Sequence, residues 1–368
     1  MNNEVSINNL VDYVKAIFAI PSSNEVRDFK DFDKMLIEIQ NFEEEKVLYN
    51  DITDRYQKSS KKKELIERLK CIVRYCQVLP LYRIMPTYRY QKDNGSFEKI
   101  NNGSDAGIEY FYRGVYDGAK YNLLPSCFRN GYYGKEDKFY HYVKSRCVNE
   151  LNNRNHLDTL VTLQHYECPT RLLDVTSNPL VALYFACKNY GCKNCDTSNY
   201  GYVYVFANSK SELLFKDSDR VIMLSCLARF TKEEQEEMYN SCVNLILKDG
   251  IGATFDKNPP KVIGKLYHEI MTEVSFEKRI LAIDLLKNYF VQPDNSNKRI
   301  DKQSGAFIIS GLSKDTKEIE DKINNHLVCR IKINDRDVIL NQLDALNINE
   351  ASLFPEIDKV AKYYTSKI

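Results

Sequence analysis

The sequence predicts an α+β fold, with a helical N-terminal region followed by a mixed, largely antiparallel sheet core. Residues 1–92 carry apolar side chains at helical spacing, and residues 108–312 alternate strand-like runs with helices. The strands are not regularly interleaved with helices, as they would be around a parallel sheet. With 368 residues, of which 43% are hydrophobic, the chain is long enough to bury a large core.

The N-terminal region is predicted to be helical throughout. The runs NNLVDYVKAIFAI and DFKDFDKMLIEIQNFEEEKVLYNDI have helical periodicity, and KKKELIERLKCIVRYCQVL is an amphipathic helix that we expect to stop at Pro80. The polar segment 91–107, rich in Gly and Asn, is the expected boundary. This divides the chain into a helical region at 1–92 and a second domain at 93–368.

Strand and helix signals follow one another in the second domain. The runs IEYFYRG, GYVYVFA and SGAFIIS are aromatic or β-branched and predict strands, while CRIKIN alternates apolar and polar residues like an edge strand. Helices are predicted for KEDKFYHYVKSRCVNEL, HLDTLVTLQHY, RDVILNQLDALNI and PLVALYFACKNY, the last with Pro179 near its first turn.

Composition excludes several classes of protein. A net charge of +1, from 52 basic and 51 acidic side chains, is too small for a dedicated electrostatic DNA-binding protein, so a nucleic acid would have to contact a local patch. No apolar run reaches the length of a membrane span, and the N-terminus lacks the features of a signal peptide, so we expect a cytoplasmic protein with no membrane partner. Of 11 cysteines, only Cys192 and Cys195 form a CxxC pair; without a second pair, we expect a cysteine-bearing loop and no metal.

Common catalytic motifs are missing, and three polar islands in apolar surroundings remain. The sequence lacks GxxxxGK[ST], GxGxxG, HExxH and GxSxG. In the first island, FYRGVYDGAKYNLLPSCFRN, Arg113 ends an aromatic run and Gly114 lets a ligand approach the backbone. Arg129 is a possible second anion contact. The alternative for Arg113 is a salt-bridged arginine at the rim of a sheet.

The second island, LQHYECPTRLLDVTSNPLVALYFA, offers a carboxylate and a histidine; the third is NKRIDKQSGAFIIS. Asp174 follows two leucines, which suggests partial burial beside Arg171 or Arg113, either in a site or as a structural ion pair. His165 ends a mostly apolar helix, where it is either a hydrogen-bonded core residue or a general base in a pocket.

Five segments in this order resemble the FRG domain family, which is named for a Phe-Arg-Gly motif. They are FYRG, LLPSCFR, LQHYECPTRLLDVTSNPLVALYFA, RIDKQSGAFI and LDALNINEASLFPEIDKVA. Here the triplet is Tyr112-Arg113-Gly114, and Val175 stands where the family carries Trp. The resemblance spans 108–361 and implies a role in bacterial phage defence or a toxin-like activity.

A more distant resemblance is to arginine-type mono-ADP-ribosyltransferases. These carry a Tyr/Phe-Arg-Gly strand, then a Ser-Thr-Ser strand leading into a helix, then a catalytic Glu on a later strand. The resemblance implies an ADP-ribosyltransferase-like fold with NAD as co-substrate, its pyrophosphate held by Arg113. Together with the residues nominated above, it gives Arg113, Asp174, Thr176, Gln303 and His165 as candidate catalytic residues, and Arg113, Gly114, Arg129, Arg171 and Ser177 as candidate cofactor contacts.

Gln303 stands where that resemblance places the catalytic Glu. An amide cannot stabilise an oxocarbenium-like state as a carboxylate does. Either another carboxylate supplies the charge, with Asp174 the first candidate and Glu269 and Glu273 behind it, or the site binds a nucleotide without turnover. Three hypotheses follow. The first is an NAD-dependent ADP-ribosyltransferase effector or toxin that modifies a nucleic acid or protein and pairs with an antitoxin or regulatory protein. The second is a non-catalytic nucleotide- or nucleic-acid-binding module. The third is a nuclease or other hydrolase.

Overall fold

The structure describes most of the chain, but not all of the segments discussed above. The structure, a computed structural model, describes residues 3–23, 37–45, 47, 50, 55–84, 88–91, 97–100, 107–118, 122–151, 154–188, 200–256, 258–294 and 297–368. The Cys192–Cys195 pair and most of the boundary segment 91–107 lie outside these residues, as does part of the helical pattern before residue 55. The division of the chain at residue 92 therefore stays a prediction.

Strands and helices alternate as expected over most of residues 108–312. The strands are β1 (Asn3–Ile7), β2 (Tyr88–Gln91), β3 (Phe97–Ile100), β4 (Ile108–Val115), β5 (Leu172–Thr176), β6 (Gly201–Ser209), β7 (Leu214–Phe215), β8 (Thr254–Phe255), β9 (Ile280–Leu281), β10 (Tyr289–Gln292), β11 (Gly305–Ile309) and β12 (Leu327–Ile333). The helices are α1 (Leu10–Ser23), α2 (37–45), α3 (Arg55–Ile84), α4 (Glu136–Arg146), α5 (Val148–Leu151), α6 (His156–His165), α7 (Pro179–Cys187), α8 (Asp219–Cys226), α9 (Lys232–Asp249), α10 (Lys261–Met271), α11 (Ala282–Leu286), α12 (Lys298–Lys302), α13 (Thr316–Asn324), α14 (Arg336–Ala345), α15 (Glu350–Leu353) and α16 (Ile357–Thr365).

Eight strands form one sheet in the order β1-β12-β6-β4-β5-β11-β10-β7. The two outermost pairings, β1 with β12 and β10 with β7, are parallel, and the pairings between them are antiparallel. The predicted α+β class with a mixed sheet is therefore confirmed. The central strands β4, β5 and β11 come from distant parts of the sequence and lie side by side.

Three expectations about individual elements were wrong. Within the region predicted to be helical throughout, Asn3–Ile7 and Tyr88–Gln91 are strands; Asn9 begins α1 by accepting a hydrogen bond from the amide of Asp12 (2.9 Å). With β1 beside it, β12 is an interior strand and not an edge. Helix α3 continues through Pro80 to Ile84, although Pro80 has no N–H to donate to the carbonyl four residues before it.

Helices bury the sheet on both faces. Helices α1, α7 and α14 pack against β1, β12, β6 and β4 in one apolar cluster. A larger cluster joins α3, α6, α8, α9 and α10 to β10 and β11, and a third places α13 against β4, β5 and β6. Because both faces are covered, the polar side chains of the central strands can reach a ligand only at the strand ends.

Gly114 and Gly201 let α7 approach the sheet closely. A Cβ on Gly114 would lie 1.8 Å from the carbonyl oxygen of Ala182, and one on Gly201 would lie 2.2 Å from that of Ala186. Both alanines are fully buried on α7. The glycine of the Tyr-Arg-Gly triplet is therefore required by helix packing, whereas the sequence suggested the approach of a ligand.

Candidate functional site

A cleft lies over the central strands β4, β5 and β11. Their register places Tyr112 beside Thr176, and Thr176 beside Gly305. The inner part of the cleft is a cavity of about 250 Å³. It is lined by Tyr112, Arg113, Gly114, Val161, Gln164, His165, Asp174, Val175, Thr176, Val181, Phe185, Asn297, Arg299, Ile300, Gln303, Gly305, Ala306 and Phe307.

Six of the predicted site residues meet in this inner cavity: Arg113, Gly114, His165, Asp174, Thr176 and Gln303. Among the residues that the structure describes, Asp174 is the only carboxylate in its lining. Three sequence segments that are distant along the chain thus converge on one place, because β5 pairs with β4 on one side and with β11 on the other.

Arg113 is a largely buried guanidinium in the wall of the cavity. Its side chain is 14% exposed, and its Nη1 donates a hydrogen bond to the backbone oxygen of Asp174 at 2.6 Å. The Asp174 carboxylate lies 3.9 Å from Nη1, while Nε is buried and has no hydrogen-bond partner among the described residues. Burial lowers the pKa of Arg113, and Asp174 opposes that shift. An incompletely paired buried cation of this kind favours an anionic ligand.

Asp174 is more exposed than the sequence suggested, with 64% of its side chain accessible. Its Oδ1 accepts a hydrogen bond from Gln164 Nε2 at 2.6 Å, and Gln164 Oε1 accepts one from Thr170 Oγ1 at 2.6 Å. Thr170 is fully buried. This chain of hydrogen bonds fixes the orientation of the carboxylate, and it explains why polar residues occupy an otherwise apolar stretch. The sequence pattern alone did not indicate that Gln164 and Thr170 position Asp174.

Thr176, Ser177 and Gln303 join the end of β5 to the start of β11. Thr176 Oγ1 donates a hydrogen bond to the backbone oxygen of Gln303 at 2.7 Å, and the backbone amide of Ser177 donates one to the backbone oxygen of Ser304 at 3.0 Å. Ser304 has a φ of 45°, a left-handed conformation that is unusual for serine. Gln303 Nε2 donates to the backbone oxygen of Leu353 at 3.0 Å. The amide of Gln303 therefore holds the C-terminal segment beside the cleft.

A second cavity of about 440 Å³ adjoins the first and forms the outer chamber of the cleft. Gly114, His165, Phe185 and Arg299 line both. His165 lies at their junction, with Nε2 3.5 Å from Glu356 Oε1. His165 is therefore a residue of the cleft and not of the core.

Three other predicted cofactor contacts do not line the cleft. Arg171 is 1% exposed, and its Nη2 lies 2.6 Å from Glu136 Oε2 in a buried ion pair. This corrects the expectation that Arg171 reaches the pocket. Arg129 follows the 3₁₀ turn Ser126–Phe128, and Ser177 lies beyond the end of β5; neither lines either cavity.

Glu269 and Glu273, the alternative candidates for the catalytic carboxylate, also lie outside the cleft. Glu269 pairs with Arg229, and Glu273 accepts a hydrogen bond from the His156 amide. Neither lines either part of the cleft. Of the carboxylates that the sequence nominated, only Asp174 is in place to act on a ligand there.

The described residues contain neither a metal-binding cluster nor a membrane-spanning helix. No group of three or more His, Cys, Asp or Glu side chains within them is arranged to hold a metal ion. None of the described helices combines the length and the apolar character that crossing a membrane requires. The expected cytoplasmic location stays a prediction.

Comparison with known proteins gave one match. The family model of the FRG domain matches residues 108–195. This range contains β4, β5 and α7, and with them Arg113, His165 and Asp174, but it ends before Gln303 and the C-terminal wall of the cleft. No curated protein matches the chain. No solved structure matches it either.

Proposed function

We propose that the chain is an NAD-dependent ADP-ribosyltransferase and that the cleft over β4, β5 and β11 is its active site. The observation that carries the proposal is the convergence of Arg113, Asp174 and Gln303 on one cavity. Their order along the chain is the order of the motifs in the arginine-type mono-ADP-ribosyltransferases. Residues that merely stabilised the sheet would have no reason to gather around an open space.

The chemistry of the lining fits a dinucleotide substrate. Arg113 presents a largely buried guanidinium in the cavity wall, with Nη1 3.9 Å from the Asp174 carboxylate, and its charge suits a phosphate oxygen. Asp174 presents an accessible carboxylate that Gln164 holds in one orientation. The inner cavity continues into the outer chamber, so a ligand with two parts can lie across their junction.

In the proposed reaction, the bond between the nicotinamide nitrogen and the ribose carbon breaks and the acceptor's nucleophile bonds to that carbon. Nicotinamide leaves with the bonding electrons, and the acceptor loses a proton. We assign to Asp174 the stabilisation of positive charge on the ribose, the role that the amide of Gln303 cannot perform. We assign to His165 the acceptance of the proton, because it lies where the outer chamber meets the inner cavity.

The acceptor and the biological setting are part of the same proposal. The resemblance to the FRG family supports an effector or toxin of a bacterial anti-phage defence or toxin-antitoxin system. The acceptor would be a nucleic acid or a protein that enters through the outer chamber. An antitoxin or regulatory protein would then restrain the activity in the producing cell.

Asp174→Asn should lower nicotinamide release from NAD by about 100- to 1000-fold, since an amide cannot supply the charge that the transition state requires. The measurement is release of nicotinamide and transfer of labelled ADP-ribose by the full chain incubated with a cell lysate. Because the Asp174 side chain is 64% exposed, the free energy of unfolding of the Asp174→Asn protein should differ little from that of wild type.

The matched control is Asp301→Asn, which removes an exposed carboxylate from α12 that lines neither cavity. It should keep the wild-type rate. An Asp174→Asn rate within about threefold of wild type would remove Asp174 from the mechanism, and absence of both label transfer and nicotinamide release by wild type would refute the enzyme proposal.

A second candidate function is a nucleotide-binding module without turnover. Gln303 favours it, because an amide stands at the position of the expected glutamate and is engaged with Leu353. Calorimetric titration separates the two functions. Binding of NAD that stays intact through the titration favours the module, and nicotinamide release during the titration favours the enzyme.

A further inference from the structure

Arg299 is a second arginine in the lining of the cleft. It lies in the short helix α12 and lines both the inner cavity and the outer chamber. Its guanidinium carbon is 4.8 Å from the centre of the Phe354 ring, and Phe354 is buried. The aromatic ring therefore supports the guanidinium at the junction of the two cavities.

A contact between a guanidinium and an aromatic ring does not use up the N–H donors of the guanidinium. The N–H donors of arginine point outward in the plane of the group, so a ring beside its flat face does not satisfy them. Within the part of the chain that the structure describes, no carboxylate lies within ion-pair distance of Arg299. The nearby cation Lys188 also lies over Phe354, at 4.0 Å, but it pairs with Glu350 at 3.4 Å. Arg299 thus keeps its charge and its donors for a ligand.

The charge balance of the inner cavity points the same way. Its described lining contains two guanidinium groups, on Arg113 and Arg299, and one carboxylate, on Asp174. Asp174 lies beside Arg113 and is also held by Gln164. Within the inner cavity, the described lining has no second carboxylate to balance Arg299. The outer chamber is lined by Glu167, Glu356 and Asp358 together with the cations Lys188, Arg299 and Lys359.

We propose that Arg299, stacked on Phe354, binds one phosphate of a nucleoside diphosphate group whose other phosphate is bound by Arg113. This inference rests on the proposed function, and it adds Arg299 and Phe354 to the binding site. Two arginines that each bind one phosphate recognise a pair of adjacent phosphates, so a nucleotide with a single phosphate should bind much more weakly.

The test is calorimetric titration of the full chain with ADP-ribose, AMP and inorganic pyrophosphate at one fixed salt concentration. Wild type should bind ADP-ribose and pyrophosphate more tightly than AMP. Arg299→Ala should weaken ADP-ribose binding by about 10- to 100-fold, the usual effect of losing hydrogen bonds to a charged group. Arg299→Lys should restore only part of the loss, because an ammonium group is not a planar fork and stacks less well. Phe354→Leu should weaken binding while it keeps the charge.

The matched control is Lys298→Ala, which removes a positive charge from the same helix at an exposed position outside both cavities. It should leave ADP-ribose affinity within about twofold of wild type, because exposed charges outside a site contribute little. A similar loss in Lys298→Ala and Arg299→Ala would mean that only general charge attraction is at work, and would overturn the inference. Thermal unfolding of each variant shows that the fold is retained.

The outcomes separate this inference from the proposed function. Unchanged ADP-ribose binding by Arg299→Ala, with binding lost in Arg113→Ala, overturns the role of Arg299 and leaves the transferase proposal intact. If both variants lose ADP-ribose binding and the wild-type protein releases no nicotinamide from NAD, the role of Arg299 is supported and the transferase proposal is refuted. A wild type that binds neither ADP-ribose nor pyrophosphate refutes both.

Discussion

Gly114→Ala should strongly destabilise the native state. The added Cβ would lie 1.8 Å from the Ala182 oxygen and 2.7 Å from the Ala186 nitrogen, and both of these are backbone atoms of α7. No side-chain rotation can relieve such a contact, so the whole helix would have to move away from β4. We expect a loss of at least about 4 kcal/mol in the free energy of unfolding, measured by urea denaturation.

This loss is large against the roughly 5–15 kcal/mol that stabilises a typical domain, so a low yield of soluble protein should accompany it. Gly264→Ala is the matched control, because it makes the same substitution in α10, where a Cβ meets no atom within 4 Å. It should raise the free energy of unfolding by up to about 1 kcal/mol, as alanine is the better helix former. A Gly114→Ala protein with a wild-type urea midpoint would contradict the close packing of α7 on β4.

Glu136→Gln should destabilise the fold by about 3–5 kcal/mol, because it leaves the Arg171 charge buried without a counter-charge. Arg171 is 1% exposed and takes both Glu136 oxygens: its backbone amide is 2.8 Å from Oε1, and its Nη2 is 2.6 Å from Oε2. Nη1 reaches the Ser310 oxygen at 3.2 Å, so the pair also joins β5 to the end of β11. The measurement is again the free energy of unfolding in urea.

The double variant Glu136→Leu with Arg171→Met should recover only part of that loss: an apolar pair needs no desolvation of charge, but the buried Arg171 amide loses the Glu136 Oε1 acceptor. Glu236→Gln is the control: its pair with Lys232 is about half exposed on both sides, and its loss should stay below about 1 kcal/mol. If Glu136→Gln were no more destabilising than Glu236→Gln, the buried pair would not hold the fold.

Local patterns in the sequence were sufficient for most of the elements in the second domain. Aromatic and β-branched runs identified β4 and β6, and Pro179 marked the start of α7. The position of β12 inside the sheet was not predictable in this way, because its neighbour β1 lies at the other end of the chain. Alternation in β12 reflects partial exposure of its side chains and does not report whether a second strand pairs with it.

The candidate site was predictable only in part. The convergence of Arg113, Asp174 and Gln303 was implied by resemblance, and the pairing of β4, β5 and β11 brings it about. Arg171 and Asp174 were expected in one pocket, yet side chains three positions apart near a strand point to opposite faces, which the period of two should have indicated. Arg299 was missed because its environment depends on Phe354, which follows it far along the chain.

The pairing of β1 with β12 has a consequence for the order in which the protein is made. Strand β1 leaves the ribosome early, but its partner among the described strands of the sheet follows 326 residues later, as Asn3 pairs with Cys329. At typical rates of synthesis, that interval is on the order of 15 to 60 s. During this time β1 cannot join the sheet, and its addition, which closes one of the longest loops in the chain, can take place only near the end of translation.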